Sequence, residues 1–249
     1  MKKLTLLAAI MLSLTVASFP VSAMSDQKAM GLMAAALNGN SVDLAQLQSA
    51  ADSGDPKAQN WLGTYFRGKN DNTKAVYWYQ KAADQGDAIA EFGLGYAYEN
   101  GQGVPQDYVK AANWYQKSAD QGSLGELGLG NAYQTGQGVP QDYAKAVYWY
   151  QKAADQGISI AATNLGNAYH NGQGVPQDYA KAVYWYQKAA SQGNSNAEYS
   201  LGLSYYNGQG VPQDSMTAID WLEKAAALGG KTGEMAQASI DAIKHRSAR

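Results

Sequence analysis

Gly136-Gln137-Gly138-Val139-Pro140-Gln141-Asp142-Tyr143-Ala144-Lys145-Ala146-Val147-Tyr148-Trp149-Tyr150-Gln151-Lys152-Ala153-Ala154-Asp155-Gln156-Gly157 is one copy of a phrase that this chain repeats. It returns over 172–193 with Ser191 in place of Asp155, more loosely over 101–122 and 208–229, and with a shortened loop over 68–86. Pro105, Pro140, Pro176 and Pro212 stand 35, 36 and 36 residues apart. A fixed period in the thirties marks stacked supersecondary units, none of which buries its apolar face alone.

Each unit reads as a helix hairpin. In the second, Ala88 to Asn100 forms helix A, with Ala90, Leu94, Gly95 and Tyr98 recurring at helical spacing. Gly101 occupies the left-handed position that ends it, and Gly103 helps the chain turn back. Val104-Pro105 cannot extend the helix, and Asp107 is placed to cap helix B, Tyr108 to Asp120. On a wheel of about 100° per residue, Tyr108, Ala111, Tyr115, Ser118 and Ala119 share one face with Trp114 at its edge. Lys110, Asn113 and Lys117 lie opposite. Small residues let the two helices approach, and one large ring per turn fills the gap.

Two units depart from the pattern. The first lacks four loop residues, and its Arg67-Gly68-Lys69-Asn70-Asp71-Asn72 loop leaves Asp71 or Asn72 to act as cap. The third is one residue short before helix A and holds Gly125, Gly128 and Gly130 close together, which predicts the weakest helix of the stack. Ahead of the units, Asp26 to Leu37 and a helix capped by Ser41 and running through Ala51 read as a degenerate first pair. Behind them, a helix over 234–245 with Ala236, Ile240 and Ile243 on one stripe reads as a closing element. Lys244, Arg246 and Arg249 follow the stripe and suit a helix C-terminus.

The expected organisation is a signal peptide over 1–23, a capping helix pair over 24–53 and five repeats over 54–85, 86–121, 122–156, 157–192 and 193–228. A C-terminal cap with a basic tail over 229–249 completes it. The signal peptide rests on Lys2 and Lys3, the apolar run 4–19 and the small-residue site Val21-Ser22-Ala23. Cleavage after Ala23 leaves 226 residues with 17 basic and 21 acidic side chains, a net charge of −4. That balance argues against a nucleic-acid partner. After cleavage no stretch approaches the roughly 20 apolar residues of a bilayer span. With no cysteine, stability rests on packing alone. The 18 tyrosines against 3 phenylalanines point to rings with one wet end, on a shallow core or a binding surface.

Leu94-Gly95-x-x-Tyr98-x-x-Gly101-x-Gly103-Val104-x-x-Asp107-x-x-Lys110-Ala111-x-x-Trp114-Tyr115-x-Lys117-x-Ala119 resembles the Sel1-like repeat, a relative of the tetratricopeptide repeat. The resemblance covers 54–228. It implies an all-α fold, an α/α solenoid wound as a right-handed superhelix, whose A helices line a concave surface used to bind proteins. Exported bacterial members are often adaptors or host-contact factors, so the resemblance implies a protein or peptide partner in the cell envelope or the host, and a periplasmic or secreted location. One exported branch carries a cysteine pair in each repeat; this chain carries none.

Catalytic chemistry finds little support in the residues. His170 and His245 are the two histidines, neither with a carboxylate or second histidine at ligand spacing, and both read as solvent-facing. Asp107, Asp142, Asp178 and Asp214 recur at one capping position. Ser25-x-x-Lys28, Tyr205-x-Asn207 and Lys231-Thr232-Gly233 match fragments of serine penicillin-recognising enzymes, and some cysteine-rich relatives have been described as β-lactamases. Five stacked repeats would set Ser25 and Lys231 on the order of 50 Å apart, and the third fragment belongs on a β-strand. The glycine-containing loops lack a Gly-Lys-Ser/Thr ending and so do not read as phosphate cradles. No metal, cofactor or catalytic residue is expected, and the chain reads as a non-enzymatic scaffold.

Surface remains. Helix B repeats Lys-Ala-Val-Tyr-Trp-Tyr-Gln-Lys-Ala-Ala word for word at 74–83, 145–154 and 181–190, whereas helix A varies from repeat to repeat. A recognition surface needs different side chains along its length. The candidate partner-binding residues are therefore Phe92, Tyr96, Glu99, Asn131, Gln134, Asn167, His170, Tyr199, Leu203 and Tyr206. They stand three before, one after or four after the glycine of each Leu-Gly pair. Tyr77, Tyr148 and Tyr184, on the opposite side of helix B, offer an alternative outward ladder for a glycan.

Overall fold

The structure, a computed structural model, describes residues 24–122 and 124–247. The expected signal peptide and the last two residues lie outside them. The described residues form thirteen helices and no strand. They are α1 (Asp26–Leu37), α2 (Ser41–Asp52), α3 (Pro56–Gly68), α4 (Asn72–Ala83), α5 (Ala88–Asn100), α6 (Tyr108–Asp120) and α7 (Gly125–Thr135). After these come α8 (Tyr143–Asp155), α9 (Ser159–Asn171), α10 (Tyr179–Ala190), α11 (Ser195–Asn207), α12 (Ser215–Ala227) and α13 (Gly230–Ser247). The chain divides into two compact units, one ending at Gln85 and the other starting at Gly86.

In the first unit α1, α2 and α3 pack on one another and α4 packs on α3. Ala29, Met33, Leu47, Ala51, Ala58, Leu62 and Trp78 form its core. The cap of α2 is Asn40, whose side chain accepts from the N–H groups of Val42 and Asp43; Ser41 is the first helical residue. An amide one position earlier reaches the free N–H groups as well as a serine hydroxyl would. In the short loop, Asp71 caps α4 by accepting from Lys74 N–H at 3.2 Å.

The second unit is an uninterrupted α/α stack in which each helix packs on the next, from α5 to α13. Its boundaries follow from the repeated signals. Asp107, Asp142, Asp178 and Asp214 each cap a B helix. In the first three, the carboxylate also meets the lysine three residues on, at 3.4 to 3.7 Å. Asp142→Ala should cost about 1 kcal/mol in urea unfolding and leave the helical circular dichroism intact. A larger loss with changed helix content would give Asp142 a role beyond the cap.

The core is built from one recurring contact. The B-helix tyrosine lies on the glycine of Leu-Gly: Tyr115 on Gly95, Tyr150 on Gly130, Tyr186 on Gly166, with Leu222 on Gly202 in the last repeat. A Cβ on any of these glycines would fall 2.4 to 2.6 Å from the ring or side chain above it. Buried alanines on both helices bring the backbones close enough for that contact.

The third repeat's glycines belong to the same logic. The missing residue draws the start of α7 onto α6. A Cβ on Gly125 would stand 2.4 Å from the Tyr115 carbonyl oxygen, and one on Gly128 would stand 2.7 Å from the Tyr115 ring. Helix α7 has 11 residues against 13 in α5, α9 and α11, and like α9 it lacks a side-chain cap. At the far end α13 starts at Gly230, four residues earlier than its apolar stripe predicts, and buries Ala236, Ile240 and Ile243 against Leu222 and Ala225 of α12.

Candidate interaction site

The positions expected to recognise a partner all lie in the second unit, on α5, α7, α9 and α11. None is buried outright and none is fully exposed. They are joined to the core by the B-helix tyrosines. Tyr115 donates its hydroxyl to Glu99 Oε2 at 2.7 Å. The Tyr150 hydroxyl lies 2.8 Å from Asn131 Oδ1 and 2.7 Å from Gln134 Oε1, and its one proton is shared between these two acceptors. Tyr186 donates to Asn167 Oδ1 at 2.7 Å. Burial raises the pKa of all three hydroxyls, that of Tyr186 to about 12, so they remain donors at neutral pH. In the last repeat Leu222 replaces the tyrosine, and an apolar Leu203 stands where the third and fourth repeats carry Asn131 and Asn167. The variable positions are thus matched to the ring beneath them.

The loop fixes the strip from its other end. Gln106, Gln141, Gln177 and Gln213 donate to the carbonyls of Glu99, Gln134, His170 and Tyr206 at 2.7 to 2.8 Å. The strip residues are not equally free. Phe92 packs its ring 5.6 Å from that of Tyr115, and Tyr199 and Tyr206 pack on the α12–α13 core.

His170 departs from the solvent-facing reading. It is half-buried, its ring 5.1 Å from that of Tyr179 and its nitrogens near Asn171 Oδ1 and Gln209 Oε1, at 3.0 and 3.4 Å. With Asn167, Asn171, Tyr186, Ser200, Leu203, Ser204 and Gln209 it lines a cavity of about 150 Å³. Asn164, Ser200 and Gln209 escaped sequence reasoning. The excess of tyrosine over phenylalanine was their one trace, since a hydroxyl on a buried ring needs polar company. A second cavity of about 390 Å³ lies between the end of α11 and α13, lined by Tyr206, Asn207, Gln213, Ser215, Ile243 and Arg246. His245 is exposed.

The outward tyrosines are about half exposed, Tyr148 at 53%. Each meets the tryptophan beside it edge-on, at 4.9 to 5.1 Å. Lys81, Lys152 and Lys188 lie over Tyr77, Tyr148 and Tyr184. A ring face already covered by its own lysine is a poor platform for a sugar. Among the enzyme-like fragments, Ser25 accepts from Lys28 N–H as the cap of α1, and Lys231-Thr232-Gly233 is the first turn of α13 rather than a strand. No group of histidines and carboxylates among the described residues is arranged to hold a metal.

Buried carboxyls near the start of the A helices add a pH signature. Gln121 donates to Glu91 at 2.8 Å and Gln156 to Glu126 at 2.7 Å. The fifth repeat carries Leu228 in place of that glutamine, and Glu198 Oε2 is buried without a hydrogen-bond partner. Burial raises the pKa of all three carboxyls above the ordinary 4.5. The folded protein therefore takes up these protons before the unfolded chain does, and stability rises as pH falls from neutral towards 4.5. The cap carboxyls act oppositely. Hydrogen bonds from the Lys110 and Lys181 backbone and from the Lys74 and Thr217 side chains hold Asp107, Asp178, Asp71 and Asp214 below the ordinary 3.8. Their contribution is lost as pH falls through the range under 3.8. Leu228→Gln should supply the missing donor, raise stability at neutral pH by about 1 kcal/mol and flatten the rise between pH 7 and 4.5. Thermal melts of both proteins across that range check it, and an unchanged slope would contradict the assignment.

A model of the Sel1 repeat matches residues 56–87, 88–123, 124–158, 159–194 and 195–230. Three solved structures are similar. A protective antigen present in uropathogenic Escherichia coli strains, with an SLR fold, is 40% identical at a TM-score of 0.75 and covers 82% of this chain and 44% of its own. A Sel1 repeat protein from Oxalobacter formigenes is 38% identical at 0.70, covering 78% and 58%. One from Klebsiella pneumoniae subsp. pneumoniae is 30% identical at 0.55, covering 80% and 98%. The chain thus spans about half the length of the first two. No curated protein matches it.

Proposed function

The chain belongs to the Sel1 repeat family, and from that premise we propose that it is an exported, non-enzymatic scaffold holding a protein or peptide partner on the A-helix strip of repeats two to five. Members of this family are commonly protein-interaction scaffolds. One observation carries the choice of face. The strip side chains differ from repeat to repeat and are half-buried, whereas the B-helix word is the same in three repeats. Large side chains that keep part of their surface wet and lose few torsions on binding are where interface energy concentrates. Export rests on the reading of residues 1–23, and the partner is sought accordingly in the cell envelope or in host fluid.

The test compares two double variants in a crosslinking pull-down from envelope extract and from host fluid. Tyr96→Ala with Leu203→Ala alters the strip while leaving Tyr199 in its core contact. It should weaken capture at least tenfold, about 1.4 kcal/mol. Tyr148→Ala with Tyr184→Ala alters the outward ladder and should change capture little. Melting temperatures of both are compared with the parent chain. Loss with the outward pair alone, in a folded protein, would move the site to helix B.

A further inference from the structure

Met24, the residue that cleavage after Ala23 would leave as the new N-terminus, is half-buried in the first unit. Its side chain packs on the core that α1, α2 and α3 share. Its backbone N–H donates to Asp55 Oδ2, 31 residues on, at the cap of α3. The residues after it are held as well. Ser25 caps α1 by accepting from Lys28 N–H, and Trp61 of α3 donates its indole N–H to Asp26 at 2.7 Å. The backbone nitrogen of Met24 is thus fixed against the start of α3.

Asp55 differs from four of the carboxylates that cap B helices. Asp71, Asp107, Asp142 and Asp178 are half-buried, and each meets a lysine three residues further on. Asp55 is buried, at 8% exposure, and has Ala58 at that place. Its Oδ1 accepts from Ala58 N–H at 2.9 Å, and its Oδ2 faces Met24. None of the ion pairs among the described residues reaches it. A carboxylate withdrawn from water in this way is ordinarily paired with a cation. Hydrolysis of the Ala23–Met24 bond supplies one. Water adds across the bond, Ala23 leaves with a carboxylate, and the freed amine of Met24 takes up the proton. The Met24 nitrogen, a neutral donor before cleavage, then carries a positive charge at hydrogen-bond distance from Asp55.

We propose that Asp55 is the seat of the processed N-terminus: removal of residues 1–23 turns the Met24 amide into an α-ammonium that pairs with the Asp55 carboxylate and locks α1 onto α3. Terminal caps shield the end of a stacked-repeat core from solvent. The first unit therefore reaches full stability only once the bond before Met24 has been cut. This rests on the export reading of residues 1–23 and adds what cleavage at that one bond does to the fold.

The chain starting at Met24 is released from a cleavable fusion, its first residue is checked by mass spectrometry, and it is compared with the same chain acetylated on Nα alone. Acetylation keeps an N–H on Met24 and removes the charge. Amide hydrogen exchange in α1 and α2 should quicken at least about fivefold on acetylation, while that in α10 and α12 stays unchanged. Asp55→Asn keeps a capping side chain without the charge. It should exchange as the acetylated parent does, and acetylation should add nothing further. Asp55→Ser, a second uncharged cap, takes its place if the asparagine variant does not fold. Equal exchange in the free and acetylated parent chains overturns the proposal, as does an effect of acetylation that persists in the uncharged variant. N-terminal sequencing of the chain recovered from envelope extract tests the premise separately. A first residue other than Met24 overturns the proposal together with the cleavage it rests on. Met24 in first place with no effect of acetylation overturns the pairing alone and leaves the export reading standing.

Discussion

Gly174→Ala should lower the stability of the second unit by about 3 kcal/mol, whereas the same change at Gly172 should cost about 1. The two glycines stand two residues apart with nearly equal φ, +74° and +68°. Both hold a left-handed conformation that an L side chain adopts at a cost of roughly 1 kcal/mol. Their surroundings differ. A Cβ on Gly172 would meet Gln177 Cβ at 3.3 Å, a contact that a small shift relieves. One on Gly174 would fall 2.2 Å from the carbonyl oxygen of Tyr143, at the first turn of α8 in the preceding repeat. Neither backbone can yield without parting the loop from that helix. Urea unfolding of the two variants measures the difference, and hydrogen exchange should show lost protection in the first turn of α8 for Gly174→Ala alone. Equal losses would mean that the loop contact between repeats contributes nothing.

Tyr150→Ala should be more damaging still, at about 3–5 kcal/mol, and Tyr150→Phe should cost about 1. The ring is 1% exposed and lies on Gly130, a position with no side chain of its own to move into the space. A cavity bordered by glycine and alanine backbone collapses poorly, so truncation loses both the transfer energy and the contacts. The phenylalanine variant keeps the ring and removes the hydroxyl that Asn131 and Gln134 share. If both variants lose the same stability, the ring does not fill the space between α7 and α8.

Much of this molecule was legible before any coordinates. The start and end of α5 and α6 coincide with the expected ones, because Asp, Gly and Val-Pro at fixed offsets leave a helix no other place to begin or stop. Where two capping groups stood side by side, as Asn40 and Ser41 do, spacing alone did not choose between them. The early start of α13 was hidden by Gly230 and Gly233, which weaken a helix in isolation but are carried into one when the following stripe docks on α12. The glycines of α7 stood out in the sequence, but the groups packed on them did not: the Tyr115 carbonyl on Gly125, the Tyr115 ring on Gly128 and the Tyr150 ring on Gly130. The strip presented the same difficulty. Its residues varied as a surface does, yet Glu99, Asn131, Gln134 and Asn167 answer to hydroxyls that come through the core from the partner helix. His170 had no ligand-like neighbour in sequence, and its partner Gln209 lies 39 residues away on a loop.

The identity of α8 with α10 over all 12 residues of α10 carries a hazard for folding. A chain that presents the same helix twice can dock either copy on the wrong neighbour, and misassembly of this kind is a recurrent failure of repeat arrays. The Tyr–Asn bond does not discriminate, since α7 and α9 both present an asparagine to it. Order must be imposed from outside the duplicated pair. Gly125 and Gly128 admit α7 only where Tyr115 waits on α6, and Leu203 with Leu222 refuses a tyrosine partner at the other end. The irregular third and fifth repeats thus act as bookends, and the two interchangeable copies find their places because their flanks are not interchangeable.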